Sequence, residues 1–102
     1  MLVYPLRISW VLQEENESLL SSVQFALSVP KRRFPKAVDR NRIRRRIREA
    51  YRLHKHVLYD GLSEEKHYAV MAVYVGKEEL PYADIEKATQ KWIKRFLETV
   101  KK

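Results

Sequence analysis

Cysteine is absent from this 102-residue sequence, and glycine occurs only twice. Without cysteine the chain has no disulfide, no thiolate zinc site and no cysteine nucleophile. Two glycines are too few for a glycine-rich loop that binds phosphate. Apolar runs stay well below the roughly 18 residues of a transmembrane helix, and no signal-peptide pattern opens the chain. The length of 102 residues predicts a single domain over residues 1–102, and the missing membrane and signal patterns favour the cytoplasm and no membrane partner.

Acidic residues are fewer than basic ones, and the excess of positive charge is concentrated in one segment. The chain has 21 lysines and arginines against 13 aspartates and glutamates, which gives a net charge of +8. Residues 31–55 carry a net charge of +10, and the rest of the chain carries −2. A surface that only needed to stay in solution would mix the two signs, so this segment predicts a binding face for an acidic partner. Because arginine predominates there and its planar group binds phosphate through two hydrogen bonds, nucleic acid is favoured over an acidic protein or an anionic membrane.

Hydrophobic periodicity predicts three strands and two helices. Alternation of apolar and polar residues over 4–12 and 24–29 is typical of half-buried strands, and a polar, acidic loop over 13–22 connects them. A third strand over 68–75 is apolar on both faces and therefore fits the centre of a sheet. Apolar residues at helical spacing after Pro81 predict an amphipathic C-terminal helix. This element order predicts an α+β fold, a two-layer α–β sandwich.

The arginines lie on the other predicted helix, which has Asp39 as its N-cap and ends before Gly61. At about 100° per residue, its apolar side chains fall within an arc of about 120°, and the basic side chains fill the opposite side. Ile47 therefore faces the core and Arg48 faces solvent. Like charges four residues apart destabilise a helix by roughly 0.2–0.5 kcal/mol per pair, so we expect an external anion to neutralise this face.

The other side chains that could carry chemistry have structural interpretations. His54 and His56 lie about 200° apart around one helix, so they cannot jointly bind a metal or a substrate. Trp10, Tyr74 and Trp92 occur at strand or helix spacing, which favours core packing over stacking on bases. A helix-turn-helix DNA-binding motif is the main competitor, but this basic helix follows a strand and a basic loop instead of another helix. We therefore predict no metal site in the protein and no DNA partner.

The run from Asp39 to Arg52, DRNRIRRRIREAYR, follows LSVPKRRFPKAV from Leu27 to Val38. An Arg-Asn-Arg triplet that opens a basic helix, after a strand ending in Ser-Val and a basic loop, resembles the signature of the bacterial ribonuclease P protein component. The similarity extends from the first strand to the last helix. It implies a ribosomal protein S5 domain 2-like sandwich, with a mixed sheet and with the arginine-rich helix in a left-handed crossover, against the usual hand. It also implies that the N-terminal helix of the family is missing from residues 1–102.

The resemblance further implies a function and a set of partners. Members of this family are small basic subunits of an endoribonuclease whose RNA cleaves the phosphodiester bond with Mg²⁺, which is held mainly by that RNA. The protein would bind the ribonuclease P RNA and the 5′ leader of precursor tRNA, and would assist tRNA 5′ maturation as a monomer. It would have no catalytic residue of its own.

Two groups of site residues follow from the resemblance, position by position. The first matches the RNA-contacting helix and the basic exit from the preceding strand of the family: Lys31, Arg32, Arg40, Asn41, Arg42, Arg44, Arg45, Arg46 and Arg48. In the second, Ser28 matches a residue that faces the leader cleft. By strand alternation Gln24 and Ala26 share its face, while Phe25, Leu27 and Val29 point to the core.

Two other classes of function remain open at this point. A ribosomal or other structural RNA-binding protein of similar fold would also need arginines that bind phosphate. An autonomous nuclease would cleave RNA without any RNA subunit.

Overall fold

The computed structural model describes residues 1–13, 23–62 and 66–101, which form a four-stranded sheet and two helices. The elements in chain order are β1 (Leu2–Val3), β2 (Leu6–Gln13), β3 (Val23–Ser28), α1 (Ala37–Asp60), β4 (His67–Tyr74) and α2 (Tyr82–Val100). Within the described ranges, no helix combines the length and the apolar character that a membrane crossing requires. The predicted α+β class and the two helices are confirmed.

The strands lie in the order β1-β2-β4-β3. β4 runs antiparallel to β2 and parallel to β3, so the sheet is mixed, and the predicted central position of the third strand is confirmed. The first strand was predicted to begin at Tyr4, which is wrong. The chain turns at the cis Tyr4-Pro5 peptide, β2 begins at Leu6, and the two residues of β1 pair back on it. The predicted loop between the first two strands lies, except for Gln13, outside the described residues.

Both helices pack on one face of the sheet and enclose the core. α2 contacts β1 and β2, α1 contacts β3, and the two helices pack against each other. The predicted core aromatics Tyr74 and Trp92 are fully buried, and Trp10 is half-buried with its ring edge-on to Phe96 at 5.1 Å between centroids. Phe25 stacks on Tyr51 at 4.0 Å, which seats α1 on the edge strand β3. The predicted core-facing sides are buried along most of their length, but Leu12 near the end of β2 and Val57 near the end of α1, both predicted to face the core, are 60% and 46% exposed.

The arginine-rich helix begins earlier than predicted. Its first residue is Ala37, and its N-cap is Lys36, whose side chain makes no capping hydrogen bond. Asp39, the predicted N-cap, instead lies in the first turn and pairs with Arg42 at 2.8 Å. The backbone carbonyl of Lys36 accepts hydrogen bonds from the N–H groups of Asp39 and Arg40, so the helix starts at Ala37, two residues after Pro35. The predicted end is confirmed, with Gly61 as the C-cap.

Candidate nucleic-acid interface

The outer face of α1 forms a shallow basic groove. Its lining consists of Asn41, Arg45, Arg48, Glu49 and Arg52, and each of these residues has another of them three or four positions away, the spacing of a helix face. Asn41, Arg45 and Arg48 are exposed, as predicted from the helix periodicity. Within the described part of the chain, neither Arg45 nor Arg48 has a carboxylate within ion-pair distance. Their guanidinium groups are thus available to an external anion.

Arg52 lines the same groove but was missing from the predicted site. Its spacing from Arg48 and Arg45 is the signal that could have included it. The guanidinium of Arg52 donates from Nε to the Glu49 carboxylate at 3.2 Å. This hydrogen bond holds the pKa of Glu49 below its usual value of 4.5. Glu49 therefore neutralises one end of the groove.

Two of the predicted RNA-binding arginines are held by an acidic side chain from outside the helix. The Glu79 carboxylate lies 2.7 Å from Nε of Arg42 and 3.2 Å from a terminal nitrogen of Arg46. Arg46 also donates to the carbonyl of Leu80 at 2.8 Å and is half-buried. Arg42 is exposed and is shared between Glu79 and Asp39. Within the described residues, Arg42 and Arg46 are thus paired with Glu79 and Arg52 with Glu49, whereas Arg45 and Arg48 have no carboxylate partner.

The basic loop before α1 is fixed by its own arginines. The guanidinium of Arg40 donates to the carbonyls of Phe34 and Pro35, both at 2.8 Å, so Arg40 ties the loop to the helix. The Phe34 ring is buried edge-on against Tyr74 with 5.7 Å between centroids. Arg33 donates to the carbonyl of Val75 at 3.1 Å. The side chains of Lys31 and Arg32, the two residues of this loop that were predicted to bind RNA, are exposed.

Arg44 is the remaining predicted residue of the helix. It is half-buried, and it donates to the side-chain oxygen of Asn41 at 3.4 Å, a long contact. A hydrogen bond of this length is weak, so Arg44 can exchange Asn41 for a phosphate.

The predicted cleft residues lie on the face of the sheet that the two helices do not cover. Gln24 and Ala26 are exposed and Ser28 is half-buried. Strand pairing places Gln24 beside Ala69, Ala26 beside Met71 and Ser28 beside Val73. The alternation predicted for β3 is confirmed, because Phe25, Leu27 and Val29 point to the other side, where Val29 is buried.

This open sheet face is apolar in its central part. A groove of about 330 Å³ runs over it, lined by residues of all three long strands. Val11 on β2 and Met71 on β4 are 63% and 39% exposed. Exposed apolar side chains that are grouped in a groove mark a contact surface more often than isolated ones do. The open sheet face and the arginines of α1 lie on the two sides of β3.

The titratable side chains elsewhere have structural partners. Nε2 of His54 lies 3.0 Å from a Glu86 carboxylate oxygen, which also accepts from the Tyr82 hydroxyl at 3.3 Å. Burial, and then the charge of Glu86, raise the pKa of Tyr82 above its usual value of 10.0. These three side chains join α1 to α2, in agreement with the structural interpretation of His54. Among the described residues no three His, Asp or Glu side chains come together to hold a metal ion.

Comparisons with known proteins place the chain in one family. A family model described as Ribonuclease P matches residues 4–97. The Ribonuclease P protein components of two Porphyromonas gingivalis strains are each 46% identical over 95 residues, which cover 92% of this chain and 68% of theirs. The Ribonuclease P protein component of Chlorobaculum tepidum is 51% identical over 41 residues, 40% of this chain and 27% of its own. No solved structure gives a significant match.

Proposed function

The chain belongs to the ribonuclease P protein family, and we propose that it binds the RNA subunit of that enzyme through the outer face of α1. The observation that carries this proposal is the groove beside Arg45 and Arg48, whose guanidinium groups are exposed and have no carboxylate partner among the described residues. Arginine binds phosphate through two parallel hydrogen bonds, and phosphate contacts fix the position of a protein on RNA. The chain acts as the protein subunit of the ribonucleoprotein and assists tRNA 5′ maturation.

The open sheet face receives the 5′ leader of precursor tRNA in this proposal. Gln24, Ala26 and Ser28 form its β3 side, and Val11 and Met71 supply exposed apolar surface. Single-stranded RNA offers unstacked bases that pack on apolar and aromatic side chains and hydrogen-bond to polar ones. Because this face and the arginines lie on the two sides of β3, one subunit can contact the RNA subunit and the substrate at the same time.

Cleavage itself is assigned to the RNA subunit, with Mg²⁺ held mainly by RNA. A guanidinium stays protonated near neutral pH and supplies neither a general base nor a nucleophile. The proposed role of the protein includes no metal step. The chain works as a monomer in the cytoplasm, and its role is to position RNA.

A precursor-tRNA cleavage assay tests this function directly. We expect the purified chain to increase cleavage by a ribonuclease P RNA at low Mg²⁺, where the RNA alone is slow. Binding to the RNA without enhancement would support a structural RNA-binding protein instead. Cleavage of precursor tRNA by the chain alone would support an autonomous nuclease.

A double variant separates binding from chemistry. Arg45→Ala with Arg48→Ala removes two charge-assisted contacts at about 1.5–3 kcal/mol each, so assembly with the RNA should weaken by roughly two to four orders of magnitude. Single-turnover cleavage at saturating protein should stay nearly unchanged. Lys77→Ala with Lys101→Ala, two exposed lysines, is the matched control for net charge. A large fall in the saturated rate with unchanged assembly would show that these arginines act in the chemical step.

A further inference from the structure

A second basic groove lies between α2 and the start of the chain. One wall is the outer side of α2, with Lys87, Lys91 and Arg95, and the other is β1 with the turn that follows it, including Leu2 and Tyr4. The enclosed volume is about 650 Å³. We call it the α2 groove.

The α2 groove is separate from both surfaces described above. α2 packs over β1 and β2, whereas α1 packs over β3. The groove of Arg45 and Arg48 on the outer face of α1 shares no lining residue with the α2 groove, whereas Leu80, which lines the α2 groove, accepts a hydrogen bond from Arg46 of α1. The groove also shares no lining residue with the open sheet face.

The charges of the α2 groove are unbalanced. Lys87, Lys91 and Arg95 are exposed and follow one another every four residues, which places them roughly 6 Å apart along the helix axis. In the described part of the chain, none of the three has a carboxylate within ion-pair distance, and Asp84 is the acidic residue that lines the groove. Like charges at this spacing destabilise the helix, so an anionic ligand that binds all three relieves their repulsion. The spacing suits consecutive phosphates of an extended strand.

The opposite wall favours a nucleic acid over an acidic peptide. Tyr4 is 59% exposed and Leu2 is 57% exposed, so an aromatic ring and an apolar side chain face the groove across from the cations. A positively charged groove combined with an aromatic side chain is the arrangement that binds single-stranded nucleic acid, because phosphates follow the cations while bases stack on the ring. An acidic peptide would satisfy the cations but would leave the ring unused.

We propose that the α2 groove binds a short single-stranded RNA segment without sequence preference. Lys87, Lys91 and Arg95 hold successive phosphates, and a base stacks on Tyr4. The proposal rests on the proposed function in one respect, because it gives the subunit a second RNA contact besides the groove of Arg45 and Arg48. It predicts that one chain can bind two RNA segments at once.

Binding to a fluorescent 20-nucleotide uridine oligomer and to a ribonuclease P RNA tests the proposal. The groove variant is Lys87→Gln with Lys91→Gln and Arg95→Gln. The control variant, Lys77→Gln with Lys94→Gln and Lys101→Gln, removes the same charge from exposed residues outside the groove. We expect the groove variant to bind both RNAs roughly tenfold more weakly than the control, and its salt slope on the oligomer to fall by about 2 for three lost contacts. Thermal melts of both variants should match the wild-type chain, because all six side chains are exposed.

A crosslink locates the bound RNA independently of affinity. Because the chain has no cysteine, Leu2→Cys gives a single attachment point for a photo-crosslinker at the rim of the groove while Tyr4 stays in place. Lys101→Cys is the control position outside the groove. We expect Leu2→Cys to crosslink to the uridine oligomer far more than Lys101→Cys does, and Tyr4→Ser to weaken oligomer binding by about fivefold through the lost stacking.

Two outcomes would overturn the proposal. One is equal RNA binding by the groove and control variants. The other is a loss of polyglutamate binding by the groove variant as large as its loss of oligomer binding, which would assign the groove to an acidic protein. If the wild-type chain failed to assist ribonuclease P RNA but the groove variant still bound the oligomer more weakly than the control, the proposed function would fail and the α2 groove proposal would stand.

Discussion

At the scale of single residues, Glu79 controls how much positive charge α1 presents. Its carboxylate lies between Arg42 and Arg46, two residues that the sequence assigned to RNA binding. An RNA phosphate that approaches Arg42 must compete with this carboxylate. The Arg42 side chain is 46% exposed, so solvent screens the pair and its contribution to the free energy of unfolding is about 1 kcal/mol or less.

Glu79→Gln is therefore expected to increase the affinity for ribonuclease P RNA by about two- to fivefold at low salt, since the competing charge is gone. Titration of the labelled RNA with each variant measures this. Glu98→Gln, an exposed residue of α2, makes the same change in net charge away from the arginines. Weaker binding by Glu79→Gln than by this control would show that Glu79 orients the two arginines for RNA instead of competing for them.

Tyr74 is the second residue that affects the basic helix, through the segment that holds Glu79. Its buried hydroxyl donates to the carbonyl of Glu78 at 2.7 Å and accepts from the N–H of Leu80 at 3.0 Å, so it fixes the segment that holds Glu79. Tyr74→Phe leaves both backbone groups without this partner and should lower the free energy of unfolding by about 1–3 kcal/mol in urea titrations. Tyr4→Phe, at an exposed hydroxyl, should leave it unchanged within about 0.5 kcal/mol.

Burial raises the pKa of Tyr74 above its usual value of 10.0. Because the folded state keeps the phenol proton to higher pH than the unfolded state does, this stabilisation is complete below pH 10 and is lost as pH rises through the folded pKa. The same holds for Tyr51, whose pKa burial also raises. We expect the urea concentration at the unfolding midpoint of the wild-type chain to decrease as the pH is raised above about 10. In Tyr74→Phe this decrease should be less steep, and an equal decrease in both proteins would show that Tyr74 does not contribute.

At the scale of elements, α1 has one face for folding and another for binding. Ile47 is 1% exposed in the core, and its neighbour Arg48 is exposed. Ile47→Asp would bury an unpaired carboxylate at a cost of several kcal/mol, against a total stability of about 5–10 kcal/mol, and should unfold the chain. Arg48→Ala should keep the melting temperature and lose only RNA affinity. Thermal melts with the reverse order would mean that the helix faces the other way.

The elements that could be predicted from sequence are those in which the periodic pattern of apolar residues extends over many residues. Trp92 and Ile47 are buried where the 3.6-residue spacing placed them, and Phe25 and Gln24 point to opposite sides as the two-residue period of a strand requires. β1 was missed because two residues show no period. The start of α1 was misplaced because its N-cap, Lys36, makes no side-chain capping hydrogen bond, so no capping residue marks this position in the sequence.

The residues of the candidate site could be predicted from the sequence, but the ion pairs that its arginines form could not. The helix face of Arg45 and Arg48 followed from spacing alone. The ion pairs of Arg42 and Arg46 with Glu79 join residues more than thirty positions apart, and these contacts depend on the packing of the segment before α2 against α1. No local pattern in the sequence encodes that contact.

At the scale of the whole molecule, the charge distribution sets the salt dependence of RNA binding. If the chain neutralises about six phosphates, its affinity for the RNA should fall roughly 10³-fold between 50 and 200 mM monovalent salt. Titrations at four or more salt concentrations give the slope. A flat dependence would contradict the binding of phosphate by the arginines, whatever the affinity at one salt concentration.

β3 and β4 pair in parallel although all of α1 lies between them in the chain, so their pairing closes a loop that contains the whole helix. Contacts between such distant segments slow folding, and repulsion among the arginines makes α1 a weak starting point for it. A polyanion that screens these arginines removes the repulsion before the strands meet. We therefore expect refolding, followed by the fluorescence of Trp10 and Trp92 in a stopped-flow instrument, to speed up severalfold when RNA is present. The RNA would then act as a template on which its own protein subunit folds, and an unchanged refolding rate would exclude that role.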